Sequence, residues 1–375
     1  MRVVHIYKDY APVVGGIENH VRLVAEAQAA AGDDVTVLVA NTGPQTTEEY
    51  RGGVHVLKAG RLATVASTPL SLSLPLELAG LEADVAHVHF PYPVGELAQY
   101  LLGRSRATVV TYHSDVVRQK RLLALYRPLM LRALNKADRI IVGSPNYLES
   151  SPVLRALADK CRVVPYGIDG RRFAAPDADR VRQLRARFAT AGPLILFVGV
   201  LRYYKGLDYL LRAMPEVAGT LLVVGEGPMG EAWRALAREL SLQERVVFCG
   251  RVPDEDLPTY YGAADLFVLP ASERSEAYGL VQLEAMHAGL PVVSTELGTG
   301  TSFVNQHGET GLVVPARDAE ALAKAIRILC RDGSLRRAFG ARARARAAEL
   351  SVERMVAGIH TVYREALRRA ASHRG

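Results

Sequence analysis

Short runs of β-branched and aliphatic residues alternate along the chain with longer stretches where apolar residues recur every three or four positions. Residues 2–7, 34–39, 54–59, 85–89, 108–112 and 139–143 form a first set of such runs. Amphipathic stretches lie between several of them, the clearest over residues 18–31. Strand and helix alternating at this spacing predict βαβ units and a parallel sheet. After Val163-Val164-Pro165 the pattern restarts. Residues 194–198, 220–224, 245–248, 266–269, 291–294 and 311–314 read as a second set of strands, again with helical stretches between. The expected fold class is α/β, with two Rossmann-like doubly wound domains. Residues 167–191, with Pro176 and many charges, read as the interdomain connection.

A chain of 375 residues suits two domains, each large enough to bury its own core. Cys161, Cys249 and Cys330 are scattered and none forms a C-x-x-C pair. They predict neither a disulfide framework nor a zinc site, and suit a reducing compartment. The N-terminus shows no apolar leader pattern, and no apolar run approaches the roughly 18 residues of a spanning helix. A cytoplasmic protein, soluble or peripheral at the inner face of a membrane, is expected. The net charge of +7 favours anionic partners or reflects an Arg-rich composition alone. Aromatics are sparse near the basic stretches, so nucleic acid is not among the expected partners.

In open parallel sheets ligands bind beyond the carboxyl ends of the strands. The first such loop, Pro12-Val13-Val14-Gly15-Gly16-Ile17-Glu18, leads into a helix whose N-terminus favours an anion. It also fits a plain tight turn. Residues 108–112 end in His113-Ser114-Asp115, where the imidazole either donates to a substrate oxygen or is structural. In the second half, Gly199-Val200-Leu201-Arg202-Tyr203-Tyr204-Lys205-Gly206 offers two cations at a strand end, suited to a pyrophosphate or to a solvated basic turn. Gly225-Glu226-Gly227-Pro228-Met229-Gly230 is formally G-x-G-x-x-G. NAD binding is not expected there: Pro228 stiffens the loop, the motif follows the second strand of its domain, and no convincing ribose-binding acid follows. The richest stretch runs from Pro270 to Met286, with Glu276 before a helix that begins near Gly279 and Glu284 inside it.

These residues together resemble the retaining glycosyltransferases of the GT4 type. That family has the GT-B architecture, two Rossmann-like domains facing across a cleft. The resemblance runs through most of the chain: Gly15-Gly16, Val164-Pro165-Tyr166-Gly167-Ile168-Asp169, Gly199 to Lys205-Gly206, Gly225-Glu226-Gly227-Pro228, Ala264-Asp265-Leu266-Phe267 and the E-x7-E pair Glu276/Glu284. It implies an N-terminal acceptor-binding domain over residues 1–170 plus 355–375, and a C-terminal nucleotide-sugar domain over 171–354. The final helix, from Val352 to about Arg369, would cross back onto the first domain.

The resemblance also implies roles. Lys205 and an arginine hold the donor diphosphate, and Glu276 contacts sugar hydroxyls. Glu284 takes the ribose, and Tyr278, Gly279 and Leu280 offer backbone amides. His113 lies near the reacting centre, and Gly16 lets the first domain approach the diphosphate. Where many relatives carry arginine after the glycine ending this strand, Val200 stands here, so Arg202 is expected to substitute.

The implied reaction moves a hexose from a GDP-mannose or UDP-glucose type donor to a saccharide or lipid-linked saccharide, by front-face displacement. Asp177-Ala178-Asp179 and Asp254-Glu255-Asp256 fit D-x-D. Neither is expected to hold metal, and no cofactor beyond the co-substrate is expected. Residues 116–139 carry Arg118, Lys120, Arg121, Arg127, Arg132, Lys136 and Arg139 against the single acid Asp138, with leucines interleaved. The stretch is either a basic amphipathic helix at an anionic membrane or a helix with a solvated basic face. The alternatives to a transferase are a non-hydrolysing epimerase-like enzyme, a phosphorylase, a dehydrogenase resting only on residues 225–230, and a non-catalytic nucleotide-sugar binding protein.

Overall fold

The computed structural model describes residues 1–13, 15–65, 68–116, 120–189 and 192–374; the side chains of 120–123, 125 and 374 are outside the description. The chain forms two compact units, residues 1–166 with 352–375, and residues 167–351.

In the first unit eight strands form one sheet, in the order Cys161–Val163, Arg139–Val142, Ala107–Tyr112, Val85–Phe90, Arg2–Ile6, Asp34–Ala40, Val54–Ala59 and Thr47–Arg51. All pairings are parallel except that of the edge strand Thr47–Arg51. In the second unit the order is Val246–Gly250, Thr220–Val224, Leu194–Val198, Leu266–Leu269, Val292–Glu296 and Gly311–Pro315, parallel throughout. Counted along the chain, the parallel strands of both units follow the doubly wound order 3-2-1-4-5-6, extended by one strand in the first. The central strands are apolar runs because helices cover both faces of such a sheet. Leu194–Val198 (LILFV) is buried at every position.

Thr47–Arg51 and Cys161–Val163 join the six expected strands of the first sheet, and Ala63–Val65 pairs with Thr68–Leu70, none of them expected from the sequence. Thr47–Arg51 (TEEYR) is exposed along its whole length, so no hydrophobic pattern marks it. Residues 167–191, expected as a connection, contain the helix Ala178–Phe188. Asp177 caps it, its carboxylate accepting from the Asp179 and Arg180 amides at 2.9 and 3.1 Å. The helix packs closely on Leu257–Ala263, since a Cβ on Gly262 would stand 2.5 Å from Pro176 and 3.1 Å from Val181. The helix Gly16–Ala30 follows the first strand, and the C-terminal helix Val352–Arg374 packs in the first unit. The three cysteines are free. Among the described residues no helix is long and apolar enough to cross a membrane.

Candidate active site

In each unit the strand order reverses between its first and fourth strands, and loops leaving a switch point diverge to open a crevice. In the second unit those strands are Leu194–Val198 and Leu266–Leu269, and their loops carry Lys205 and Glu276. The structure brings these two side chains together: Lys205 Nζ lies 2.6 Å from Glu276 Oε2, both nearly buried. Burial opposes the charge on Lys205, but Glu276, Tyr204 and Glu284 outweigh it and hold the ammonium above its usual range.

Gly206 makes the approach of the loops possible. It sits at φ 64°, and a Cβ there would lie 2.1 Å from the Pro270 carbonyl oxygen. The Ser272 amide also donates to Tyr204 O at 2.9 Å. The Glu276 loop is fastened from its far side by Thr299, whose hydroxyl donates to Glu276 O at 2.9 Å. The Gly300 amide donates to Ala277 O at 2.7 Å, and Arg274 reaches the carbonyls of Leu297 and Gly298.

Gly279, in the left-handed region, precedes the helix Leu280–His287, whose first amides have no partner within the helix. Tyr278 is buried beside it and Leu280 is half-buried. Glu284, one turn into the helix, accepts from the Tyr261 hydroxyl at 2.7 Å. Burial raises its carboxyl above the usual range, the Tyr261 hydrogen bond and Arg172 opposing. Arg202 is exposed at the start of its loop, and Val200 is exposed too.

Residues 225–230 have a visible structural task. The Leu201 amide donates to Glu226 O and the Met229 amide to Leu201 O, both at 2.9 Å, so this loop clasps the one that carries Lys205.

In the first unit Gly16 opens the helix Gly16–Ala30, and a Cβ on it would meet nothing within 4 Å. One turn on, the His20 ring lies 5.0 Å from the His113 ring. His113 follows Ala107–Tyr112 and is buried, with both ring nitrogens engaged: Nε2 is 3.0 Å from His89 Nδ1, and Nδ1 is 3.1 Å from the Tyr166 hydroxyl. His113 is thus one member of a histidine cluster with His5, His20, His87 and His89, all buried. Sequence reasoning singled out only His113. The signal for His87 and His89 was the alternation His87-Val88-His89, two polar rings on one face of an otherwise apolar buried strand.

Of the basic stretch, Arg118 and the side chains of Lys120 and Arg121 lie outside the described residues. Lys120–Lys136 is helical, with Met130 and Leu134 buried and Arg127, Arg132 and Lys136 exposed. Arg139 is engaged elsewhere, paired with Glu365 at 3.0 Å.

Residues 183–346 match the family described as Glycosyl transferases group 1, and residues 14–172 the family described as Glycosyltransferase Family 4. The D-rhamnosyltransferase WbpZ of Pseudomonas aeruginosa is 42% identical, with 93% of this chain and 92% of that protein aligned. The O-antigen chain mannosyltransferase C of Escherichia coli is 37% identical, over 93% and 94%. Among solved structures, a sucrose-phosphate synthase from Thermosynechococcus elongatus superposes with a TM-score of 0.79 at 27% identity, covering 96% of this chain and 98% of that one. Identity at this level over almost the whole length shows that the chain belongs to the GT4-type glycosyltransferases, of the GT-B fold.

Proposed function

We propose that this glycosyltransferase moves a hexose, with retention, from a nucleoside-diphosphate sugar to a saccharide or lipid-linked saccharide acceptor. The observation that carries the reading is the buried Lys205–Glu276 pair at 2.6 Å, presented by the two loops that flank the switch point. A diphosphate arriving there would compete with Glu276 for the ammonium. Its binding would free the carboxylate to accept hydrogen bonds from sugar hydroxyls, so one event would engage both ends of the donor. Arg202 would add a second cation, the amides of Tyr278, Gly279 and Leu280 further donors, and Glu284 an acceptor for the ribose. These fixed charges stabilise a departing diphosphate in the way that dominates such catalysis. Front-face displacement then needs no enzymatic nucleophile and no metal.

The names of the two relatives favour a manno-configured donor, since D-rhamnose is 6-deoxymannose, and therefore GDP-mannose type over UDP-glucose type. The second name also favours a growing glycan chain as acceptor. The exposed Arg127, Arg132 and Lys136 support contact with an anionic membrane surface, tested by co-sedimentation with anionic vesicles at low salt. The second unit would bind the donor and the first the acceptor.

The test of mechanism is the anomeric configuration of the product, read by proton NMR after incubation with GDP-mannose and an oligosaccharide acceptor. Retention, at a rate unchanged by EDTA, is expected. An inverted product, or activity abolished by EDTA and restored by a divalent ion, would overturn this mechanism.

A further inference from the structure

His5, His87, His89 and Thr111 stand on three neighbouring strands. His5 is opposite His87 in register, and His89 is opposite Thr111. Two-residue alternation puts them on one face of the sheet. The helix Gly16–Ala30 lays Gln28 on that face, and the helix Val352–Arg374 lays Tyr363 on it. Seven contacts join these groups in one line. Tyr166 OH is 3.1 Å from His113 Nδ1, His113 Nε2 is 3.0 Å from His89 Nδ1, and His89 Nε2 is 3.0 Å from His5 Nδ1. His5 Nε2 is then 2.7 Å from Gln28 Oε1, and Gln28 Nε2 donates to Tyr363 OH at 3.2 Å. Tyr363 OH is 2.7 Å from His87 Nδ1, and His87 Nε2 is 2.6 Å from Thr111 Oγ1.

A neutral imidazole has one N–H donor and one acceptor nitrogen, and burial keeps these rings neutral: His5 is pushed down to about 4, the others well below their usual range. The orientation of the Gln28 amide, Oε1 towards His5 and Nε2 towards Tyr363, then sets the direction of the whole line. Oε1 only accepts, so His5 Nε2 carries the proton and His5 Nδ1 accepts from His89 Nε2–H. His89 Nδ1 in turn accepts from His113 Nε2–H, leaving His113 Nδ1 to accept from the Tyr166 hydroxyl. On the other side Gln28 Nε2 only donates, so the Tyr363 proton goes to His87 Nδ1 and His87 Nε2–H to Thr111. Every link is satisfied with one polarity. Reversing it requires the Gln28 amide to turn over and all seven links to change together.

Two histidine triads here, His5/His87/His89 and His20/His89/His113, have ring nitrogens within 4.8 Å of one another. Both triads use His89, whose two nitrogens the line already spends, so the geometry favours protons over a metal. His20 stays outside the line, buried and with neither ring nitrogen hydrogen-bonded.

We propose that this line is a positioning device: Gln28 and Tyr363 hold His113 in its Nε2–H tautomer, with Nδ1 turned to the Tyr166 hydroxyl. The C-terminal helix thereby sets the orientation of a dipole at the loop end of Ala107–Tyr112. A fixed dipole needs no rearrangement when charge develops nearby. The inference rests on the reading that His113 borders the reacting centre; Gln28, Tyr363, His5 and His89 act through it as positioning residues.

The test uses the full-length chain labelled with 15N-histidine. Long-range proton–nitrogen NMR at pH 7 is expected to show His5, His87, His89 and His113 neutral and in the Nε2–H form. An Nδ1–H form or an imidazolium at His5, His89 or His113 overturns the proposal, as does one zinc ion retained per chain after dialysis against zinc chloride. Gln28→Met removes both amide links, whereas Gln28→Glu, in its protonated form, restores an acceptor and a donor. Release of GDP from GDP-mannose is expected to fall roughly tenfold in kcat for Gln28→Met with KM little changed. A second tautomer should appear at His113, and Gln28→Glu should recover both readouts. Unchanged kcat in Gln28→Met, or equal loss in both variants, overturns the positioning role. His113→Gln turning over like the wild type would remove the proposed role of His113 and the positioning role with it. The wild-type tautomers distinguish that failure from failure of the line itself.

Discussion

Lys205 and Glu276 hold each other in a setting where neither charge is cheap to leave alone. Removing one partner of such a pair strands the other in low dielectric, a loss of roughly 3–5 kcal/mol for buried pairs. Lys205→Met is therefore expected to lose nucleoside-diphosphate affinity and to unfold earlier, while Lys205→Met with Glu276→Gln recovers stability but not affinity. Thermal unfolding with and without ligand separates the two effects. Gly206 is the companion constraint. Gly206→Ala places a side chain in the left-handed region and against the Pro270 carbonyl, so a loss of about 2 kcal/mol or more is expected in urea unfolding. Lys205 and Glu276 were both legible as chemistry-bearing side chains beyond strand ends. Their contact was not, because it depends on two loops far apart in sequence being packed through Gly206. His113 shows the opposite limit: its position after a strand was readable, but its engaged nitrogens follow from His89 on a neighbouring strand and Tyr166 beyond another, which sequence does not align.

At the scale of elements, apolar runs identify the central strands because burial on both faces demands such composition. Thr47–Arg51 escaped because an exposed edge strand has no such demand. The helix Ala178–Phe188 escaped because none of its residues is buried, and its charges read as a connection. Its cap explains Asp177 as a structural acid: Asp177→Ala is expected to cost about 1 kcal/mol, checked by urea unfolding. Glu96, on the helix Pro93–Leu102, accepts from the Tyr92 amide at 2.7 Å and from the Tyr126 hydroxyl of Lys120–Lys136. Burial raises its carboxyl to about 7, those hydrogen bonds opposing. An acid raised in the folded state contributes fully below its unfolded value, and the contribution is lost as pH rises through 7. Glu96→Gln should therefore gain stability relative to wild type between pH 5 and 8, by on the order of 2–3 kcal/mol. A difference that stays flat with pH would contradict the buried, raised carboxyl.

For the whole molecule, five buried histidines in one unit and none of that cluster in the other predict unequal acid sensitivity. Burial depresses these groups, His5 to about 4 and His20 to about 3. Their stabilising effect is complete above the unfolded value near 6.5 and is lost as pH falls below it. Each costs on the order of 1.4 kcal/mol per pH unit in that window. The first unit should lose its helical signal between pH 6 and 4 while Trp233, the single tryptophan, buried in the second unit, keeps its emission. Simultaneous loss of both signals would contradict independent sensitivity of the units.

The second unit is expected to grip a nucleoside diphosphate through Lys205 and Glu284. The most direct measurement is a thermal-shift panel of GDP, UDP, ADP, dTDP and NAD on the wild type, Lys205→Ala and Glu284→Ala. One nucleoside diphosphate, expected to be GDP, should raise the melting temperature of the wild type and of neither variant. A response to NAD alone, or to no diphosphate, would contradict the account.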